Sequence, residues 1–359
     1  MSLDRRRFVG AAALAMASCQ INGSSVREPS QASFIHGLTL VAGTADDFRP
    51  SRIQAVIESA TSTGADWIAV APSWSQGTHQ STKIRPDPAR TPPDEDVLAL
   101  IETAHEVGVN VLLSPFVHSR DRVWRGDFAP TDLSSWFAEY STMALHYAEL
   151  GQQARVGMFS VGSELDFSEE AYLDEWRVLI DKVRRVYDGS LTYAASHRSS
   201  PRGGGYKRTP FWSQLDCIGI DAYFPMTARL ISPSQLAATW ETWMGEIERW
   251  HAASGLKQPI IFTELGYRSV VGAAVQPSPR NWDYEGPVDT GVQANLYAAF
   301  FGIPYRREIL RGVFWWHWEP SETPDADDTS YIPNGKPAED VLRRGYAAAI
   351  RRPTYSGSG

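Results

Sequence analysis

Two glutamates end apolar runs 100 residues apart in the chain. Glu164 follows GMFSVGS at residues 157–163, and Glu264 follows PIIFT at residues 259–263. A carboxylate at the buried end of such a run carries a desolvation cost that a polar cavity, a cap or an ion pair must offset. Either glutamate alone reads equally well as a cap or an ion-pair partner. Two of them converging on one hollow have the chemistry of glycosidic bond cleavage. One carboxyl gives a proton to the leaving oxygen while the other attacks the anomeric carbon. Repulsion between like charges separates the two pKa values, so a protonated and an ionised group are supplied together. Retention of anomeric configuration requires the two carboxyl groups to lie about 5–5.5 Å apart.

Aromatic residues gather at similar positions. The chain contains 13 Trp, 14 Tyr and 14 Phe. Such rings fill cores, and they also stack on flat apolar ligand faces. Trp74 and Tyr223 end two further apolar runs, and FWWHW occupies residues 314–318. Strand alternation puts Trp316 and Trp318 on one face, with Trp315 and His317 on the other. Trp316 and Trp318 are read as the pair lining the cavity, with Trp74 at the same rim. Tyr223 is placed to donate its hydroxyl to Glu264 and hold it ionised.

These residues need a frame that brings strand ends together. Apolar runs at 35–43, 66–74, 109–117, 155–163, 190–196, 216–224, 259–265 and 311–318 predict eight strands. Their near-continuous apolar character fits parallel strands covered on both faces. Amphipathic stretches at 50–62, 93–106, 131–150, 169–187, 233–254, 289–302 and 336–350 predict helices between them. Thr91 and Pro92 read as the N-cap and first residue of the second helix. After the fifth strand, residues 198–210 (RSSPRGGGYKRTP) predict a flexible loop. The expected fold is one α/β domain, a (β/α)8 TIM barrel over residues 34–352, with strand order set by right-handed crossovers. An open doubly wound sheet is the alternative; it would carry a Gly-rich turn after strand one, where VAGTADDF stands. Insertions at 75–91 and 267–288 follow strands two and seven, on the barrel face that carries active sites.

Composition narrows the partners. Apolar residues make up 43% and charged residues 21%, which excludes disordered and coiled-coil classes. A net charge of −8 without a basic block argues against nucleic acid. Arg5, Arg6 and Arg7 precede a short apolar run, so residues 1–18 read as a twin-arginine export signal. MASC at 16–19 makes Cys19 the expected lipid-bearing residue of a periplasmic or surface lipoprotein; cleavage to a secreted product is the alternative. Residues 19–33 read as a tether and 353–359 as a tail. Contact with a membrane is expected through that anchor alone. Cys217 then has no partner for a disulfide.

Other signals carry less. The glycines at 203–205 lack Walker spacing. His105-Glu106 lacks the second histidine of a zinc helix, and DADD at 325–328 lacks the ligand spacing of a calcium loop. His36 reads as a buried structural histidine, and no GxSxG elbow occurs. Neither a metal nor an organic cofactor is expected.

The motifs at the two glutamates resemble those of clan A glycoside hydrolases. The chain more closely resembles glycoside hydrolase family 113, whose known members are β-mannanases. The resemblance runs in order through TPPDEDVLALIETAHEVGVNVLLSP, VWRGDF, FSVGSELD, WRVLIDKVRRVYDGSLTYAAS, FWSQLDCIGIDAYFPM, PIIFTELGYRS, GVFWWHWEP and NGKPAEDVL. It implies Glu164 as acid/base, Glu264 as nucleophile and Tyr223 as partner of Glu264. The implied substrate is a β-1,4-mannan or manno-oligosaccharide. Two positions depart from the pattern. Ser163 stands where the clan usually has the Asn that binds the sugar 2-hydroxyl. Strand three ends Pro115-Phe116-Val117-His118 where His then Asp are expected. Ser163 and His118 are therefore read as substrate contacts that bear on sugar choice. Hydrolysis of another β-glycan, or a lipid-anchored glycan-binding barrel without turnover, are the alternatives.

Overall fold

The computed structural model describes residues 34–201, 203–226, 232–278, 286–319 and 327–349. The predicted export signal, Cys19, the tether and the tail lie outside the described residues. Eight strands form the barrel: β1 (Ile35–Val41), β2 (Trp67–Ala71), β3 (Asn110–Leu113), β4 (Met158–Ser163), β5 (Ser190–Ser196), β6 (Ile218–Asp221), β7 (Ile260–Leu265) and β8 (Leu310–Trp315). They run parallel in sequence order and close where β1 pairs with β8. This is the (β/α)8 barrel that the alternation predicts.

Alternation along each strand sorts the side chains into two layers. Trp67, Ala69, Leu112, Met158, Ile261 and Phe314 fill the barrel interior. Ile68, Val70, Val111, Leu113 and Phe262 point outward to the helices. Full burial of each such side chain contributes about 1.5–3 kcal/mol.

The helices are α1 (Pro50–Thr61), α2 (Asp94–Glu106), α3 (Leu133–Ala154), α4 (Leu173–Val186), α5 (Pro233–Ser254), α6 (Thr290–Gly302) and α7 (Pro337–Ala349). Caps set several starts: Asp132 accepts from the Ser135 N–H, Asp289 accepts from the Val292 N–H, and Ser232 forms a capping box with Gln235. The predicted cap at Thr91 is corrected. Pro93 takes the N-cap position of α2, and the Thr91 hydroxyl instead donates to the Ser73 carbonyl.

Prolines shorten two predicted strands. Pro72 and Pro115 lack the N–H that would continue the ladder. Beyond them the chain forms a separate rim sheet, with Ser73–Gln76 between Ile84–Pro86 and Phe116–Ser119. Among the described residues between β5 and β6 there is no α-helix, as expected, and the glycines of that loop are closely packed. Gly203, Gly204, Gly205 and Tyr206 are buried. The three glycines take φ of 108°, 72° and 83°, which residues with a Cβ rarely adopt.

Candidate active site

Both glutamates follow irregularities in the barrel ladder. On β4, Ser160 pairs with Thr192 but Ser163 pairs with Ala194, so one extra residue is accommodated before Glu164. On β7, Phe262 pairs with Ile220 and Glu264 with Asp221, again one residue more than the partner strand. Bulges of this kind re-aim side chains where strands meet a cavity. Simple alternation from the inward Ile261 would send Glu264 outward; the extra residue turns it back.

Glu264 is 8% exposed, and the Tyr223 hydroxyl donates to its Oε2 at 2.8 Å. Burial and the charge of Glu164 push Glu264 up to about 8, while the Arg125 guanidinium and the Tyr223 hydrogen bond pull it down. Glu164 is half-buried and accepts from the Trp124 indole N–H at Oε2, at 2.7 Å. Between the two lies Asp221, fully buried at the end of β6. Thr263 donates to its Oδ1 at 2.7 Å, and Ser163 lies 3.4 Å from its Oδ2. Burial, then the charges of Glu264 and Glu164, raise Asp221 well above the ordinary carboxylate range. The site therefore brings three carboxyl groups together with one guanidinium.

Arg125 supplies that positive charge. It donates to Ser163 Oγ at 3.0 Å and lies 4.2 Å from the centre of the Phe116 ring. The Trp316 ring stands 6.0 Å from Phe116 and is half-buried. Gly266 lets the Trp316 backbone lie against β7, since a Cβ there would lie 2.3 Å from the Trp316 carbonyl oxygen. His118 shares the Phe116 face of its rim strand, with ring centres 6.1 Å apart. Burial, Arg125 and Arg90 lower His118 to about 3, so its imidazole is neutral.

Tyr223 and Ser163 thus stand at the glutamates, and His118 and Trp316 flank Phe116 beside Arg125, but two predicted tryptophans pack elsewhere. Trp74 packs on the outside, with its ring 5.6 Å from His146 and 6.2 Å from Tyr147 of α3. Alternation along the rim strand puts Ser73 and Ser75 on one face and Trp74 on the other. Trp318 is 1% exposed within the outer hydrophobic layer. β8 ends at Trp315, so the alternation that paired Trp318 with Trp316 does not extend to it. Trp315 faces outward, as its half of the alternation requires, and stacks on Tyr297 of α6 at 3.8 Å.

Three contributors escaped the sequence reading. Asp221 ends a strand as Glu264 does, and that position alone could have marked it. Arg125 opens a single turn, Arg125–Asp127, after the rim strand Phe116–Ser119, and Trp124 is the residue just before it. No periodicity signals their direction.

A closed eight-stranded parallel barrel with two glutamates at its strand ends is an architecture that glycoside hydrolases use. The sequence matches the model of Glycoside Hydrolase Family 113 over residues 40–336, and the chain belongs to that family. It is similar to a solved GH113 β-1,4-mannanase, with 27% identity and a TM-score of 0.77. That alignment covers 88% of this chain and 99% of the other. It is equally similar to the GH113 β-mannanase AaManA from Alicyclobacillus acidocaldarius in complex with ManMIm (27% identity, TM-score 0.77, covering 89% and 99%). A β-glucuronidase from Ruminococcus gnavus shares the fold at 14% identity and a TM-score of 0.59, covering 88% of this chain and 50% of that one. No curated protein sequence matches the chain.

Proposed function

We propose that the protein is a retaining β-glycosidase acting on β-1,4-mannan or manno-oligosaccharides by double displacement. The observation that carries this reading is the pairing of Glu264, held by Tyr223 within reach of the Glu164 charge, with Glu164, held by Trp124. Glu264 attacks the anomeric carbon, and Glu164 protonates the departing oxygen. Glu164 then takes a proton from water, which releases the sugar from Glu264. Attack requires the proton of the pair to reside on Glu164. Arg125 and the Tyr223 hydroxyl favour this arrangement because both stabilise ionised Glu264.

Tyr223→Phe tests that last point. The lost hydrogen bond to a charged group is worth about 1.5–3 kcal/mol, so kcat should fall by about 10- to 100-fold. Tyr223 favours the ionised form of Glu264, so its loss raises the pKa of the nucleophile. The acid limb of the pH–kcat/KM profile should therefore move to higher pH. An unmoved acid limb would refute the assignment.

Support for mannan comes from the two mannanase structures, each aligned over nearly its whole length. Ser163 is the observation that favours a second substrate reading, another β-glycan, because its hydroxyl is occupied by Arg125 where an amide would face the sugar. Product analysis on mannan, glucomannan, cellulose and xylan separates the two. Manno-oligosaccharides released from mannan support the first reading, whereas release from the other glycans alone supports the second. Binding of mannan without hydrolysis of any glycan would favour a glycan-binding barrel.

We further propose export through residues 1–18, with Cys19 carrying the lipid. Mass spectrometry of the N-terminal peptide from the native cell should show acylated Cys19. An unmodified N-terminus at another position would exclude the anchor.

A further inference from the structure

Glu164 sits on backbone that residues with a Cβ rarely adopt, with φ of +50°. Such a left-handed residue costs about 1–2 kcal/mol and persists only where its surroundings over-determine it. Two hydrogen bonds do so here. The Glu164 N–H donates to the Ala194 carbonyl at 2.8 Å. The next N–H, of Leu165, donates to the Tyr193 hydroxyl at 2.8 Å. A side-chain oxygen from β5 therefore stands where a strand carbonyl ordinarily would.

The Tyr193 hydroxyl passes the interaction on. Its own proton goes to Glu169 Oε1 at 2.8 Å, and the Thr209 hydroxyl donates to Glu169 Oε2. Tyr193 and Glu169 are both 0% exposed, and the reaction steps use neither. Among the described residues Glu169 is bonded by two hydroxyls and no basic group, a costly arrangement for a buried carboxylate. It has one clear local benefit. A hydroxyl that donates to a carboxylate becomes a stronger acceptor, and the oxygen so strengthened is the one that takes the Leu165 N–H.

The packed glycine loop delivers the outer end of this relay. A Cβ on Gly204 would lie 2.5 Å from the Asp166 Cα, so only glycine lets the loop lie against the chain two residues beyond Glu164. Thr209 follows in the same loop, with its N–H bonded to the Gly205 carbonyl at 3.2 Å. The Glu164 carboxyl is thus held at its head by Trp124 and at its backbone through Tyr193.

We infer that Tyr193 and Glu169 are positioning residues for the proton donor: the series Thr209, Glu169, Tyr193 and the Leu165 N–H fixes the turn at Glu164 and so aims its carboxyl at the leaving oxygen. The inference rests on Glu164 as the acid/base. Its effect should appear only where that proton matters.

The test compares two aryl β-glycosides of the preferred sugar. One releases phenol, which needs protonation; the other releases dinitrophenolate, which does not. Tyr193→Phe keeps the ring packed against Trp176 and Phe211 and removes the hydroxyl. Its kcat/KM on the phenyl glycoside should fall by about 30-fold, part of the 10²–10⁴ that a general acid contributes. On the dinitrophenyl glycoside it should stay within about threefold of wild type. Glu169→Gln, which keeps an acceptor for the Tyr193 hydroxyl but removes the charge, should change the same ratio in the same direction by a smaller factor than Tyr193→Phe. Equal losses on both substrates, or none on either, would overturn the inference. If Tyr193→Phe does not fold, Thr209→Val decides in the same way, through a changed or unchanged ratio. Glu164→Gln serves as the control. If it discriminates between the leaving groups and Tyr193→Phe does not, the relay fails while the acid/base assignment stands. If Glu164→Gln does not discriminate, both fall together.

Discussion

Glu264→Ala will lower kcat on any natural substrate by at least about 10⁴-fold and leave the fold intact, since the lost group makes a covalent bond in the reaction and its removal is not repaid elsewhere. The structural cost is small by comparison. Among the described residues Glu264 bonds only the Tyr223 hydroxyl through its side chain, and it is a buried carboxyl raised by burial. Its loss removes a desolvation penalty along with one hydrogen bond. Unfolding by urea should therefore shift little. The alanine also leaves room on the face of the sugar that the carboxylate occupied. Sodium azide should enter it, restore part of the rate and yield the α-glycosyl azide from a β-glycoside. Kinetics and NMR of that product check the prediction; full activity without azide would remove Glu264 from the mechanism.

Glu164→Ala gives the complementary result. A proton donor contributes about 10²–10⁴-fold where the leaving group is a sugar hydroxyl, so turnover of a glycan should fall by that factor. With a dinitrophenyl leaving group the first step needs little help. The glycosyl-enzyme then accumulates because no base activates water, and a burst of dinitrophenolate should precede a slow steady state. Azide needs no base. It should attack the accumulated intermediate from the opposite face and give the β-glycosyl azide. The two variants thus predict products of opposite anomeric configuration, a distinction that general damage to the site does not produce. Loss of activity to the same extent on both leaving groups, with no burst, would contradict the assignment.

Much of this was legible in the chain itself. The barrel followed from eight apolar runs separated by amphipathic ones, because parallel strands buried on both faces leave that pattern. The glutamates followed from the cost of placing a carboxylate at the end of such a run. Tyr223 was legible for a related reason: it follows the apolar run beside that of Glu264, and its hydroxyl bonds that carboxylate. What failed did so where the strand stops. Trp318 lies beyond β8, and Trp74 beyond Pro72 in a separate sheet, so the period of two taken from the barrel did not apply to either. Trp124 and Arg125 were invisible because a short loop segment, not a repeating pattern, sets their direction. The close packing of the glycine loop was not legible, because positive φ permits tight packing as readily as freedom. Its neighbours decide that packing, and Asp166 and Glu170 are neighbours that sequence distance hides.

The most direct measurement is covalent trapping. A 2-deoxy-2-fluoro β-glycoside with a good leaving group slows both chemical steps, and the leaving group rescues only the first. The enzyme should gain the mass of one fluorosugar, and peptide mapping should place it on Glu264. A label on Glu164 or on Asp221, or unlabelled protein releasing product of inverted configuration, would contradict the account.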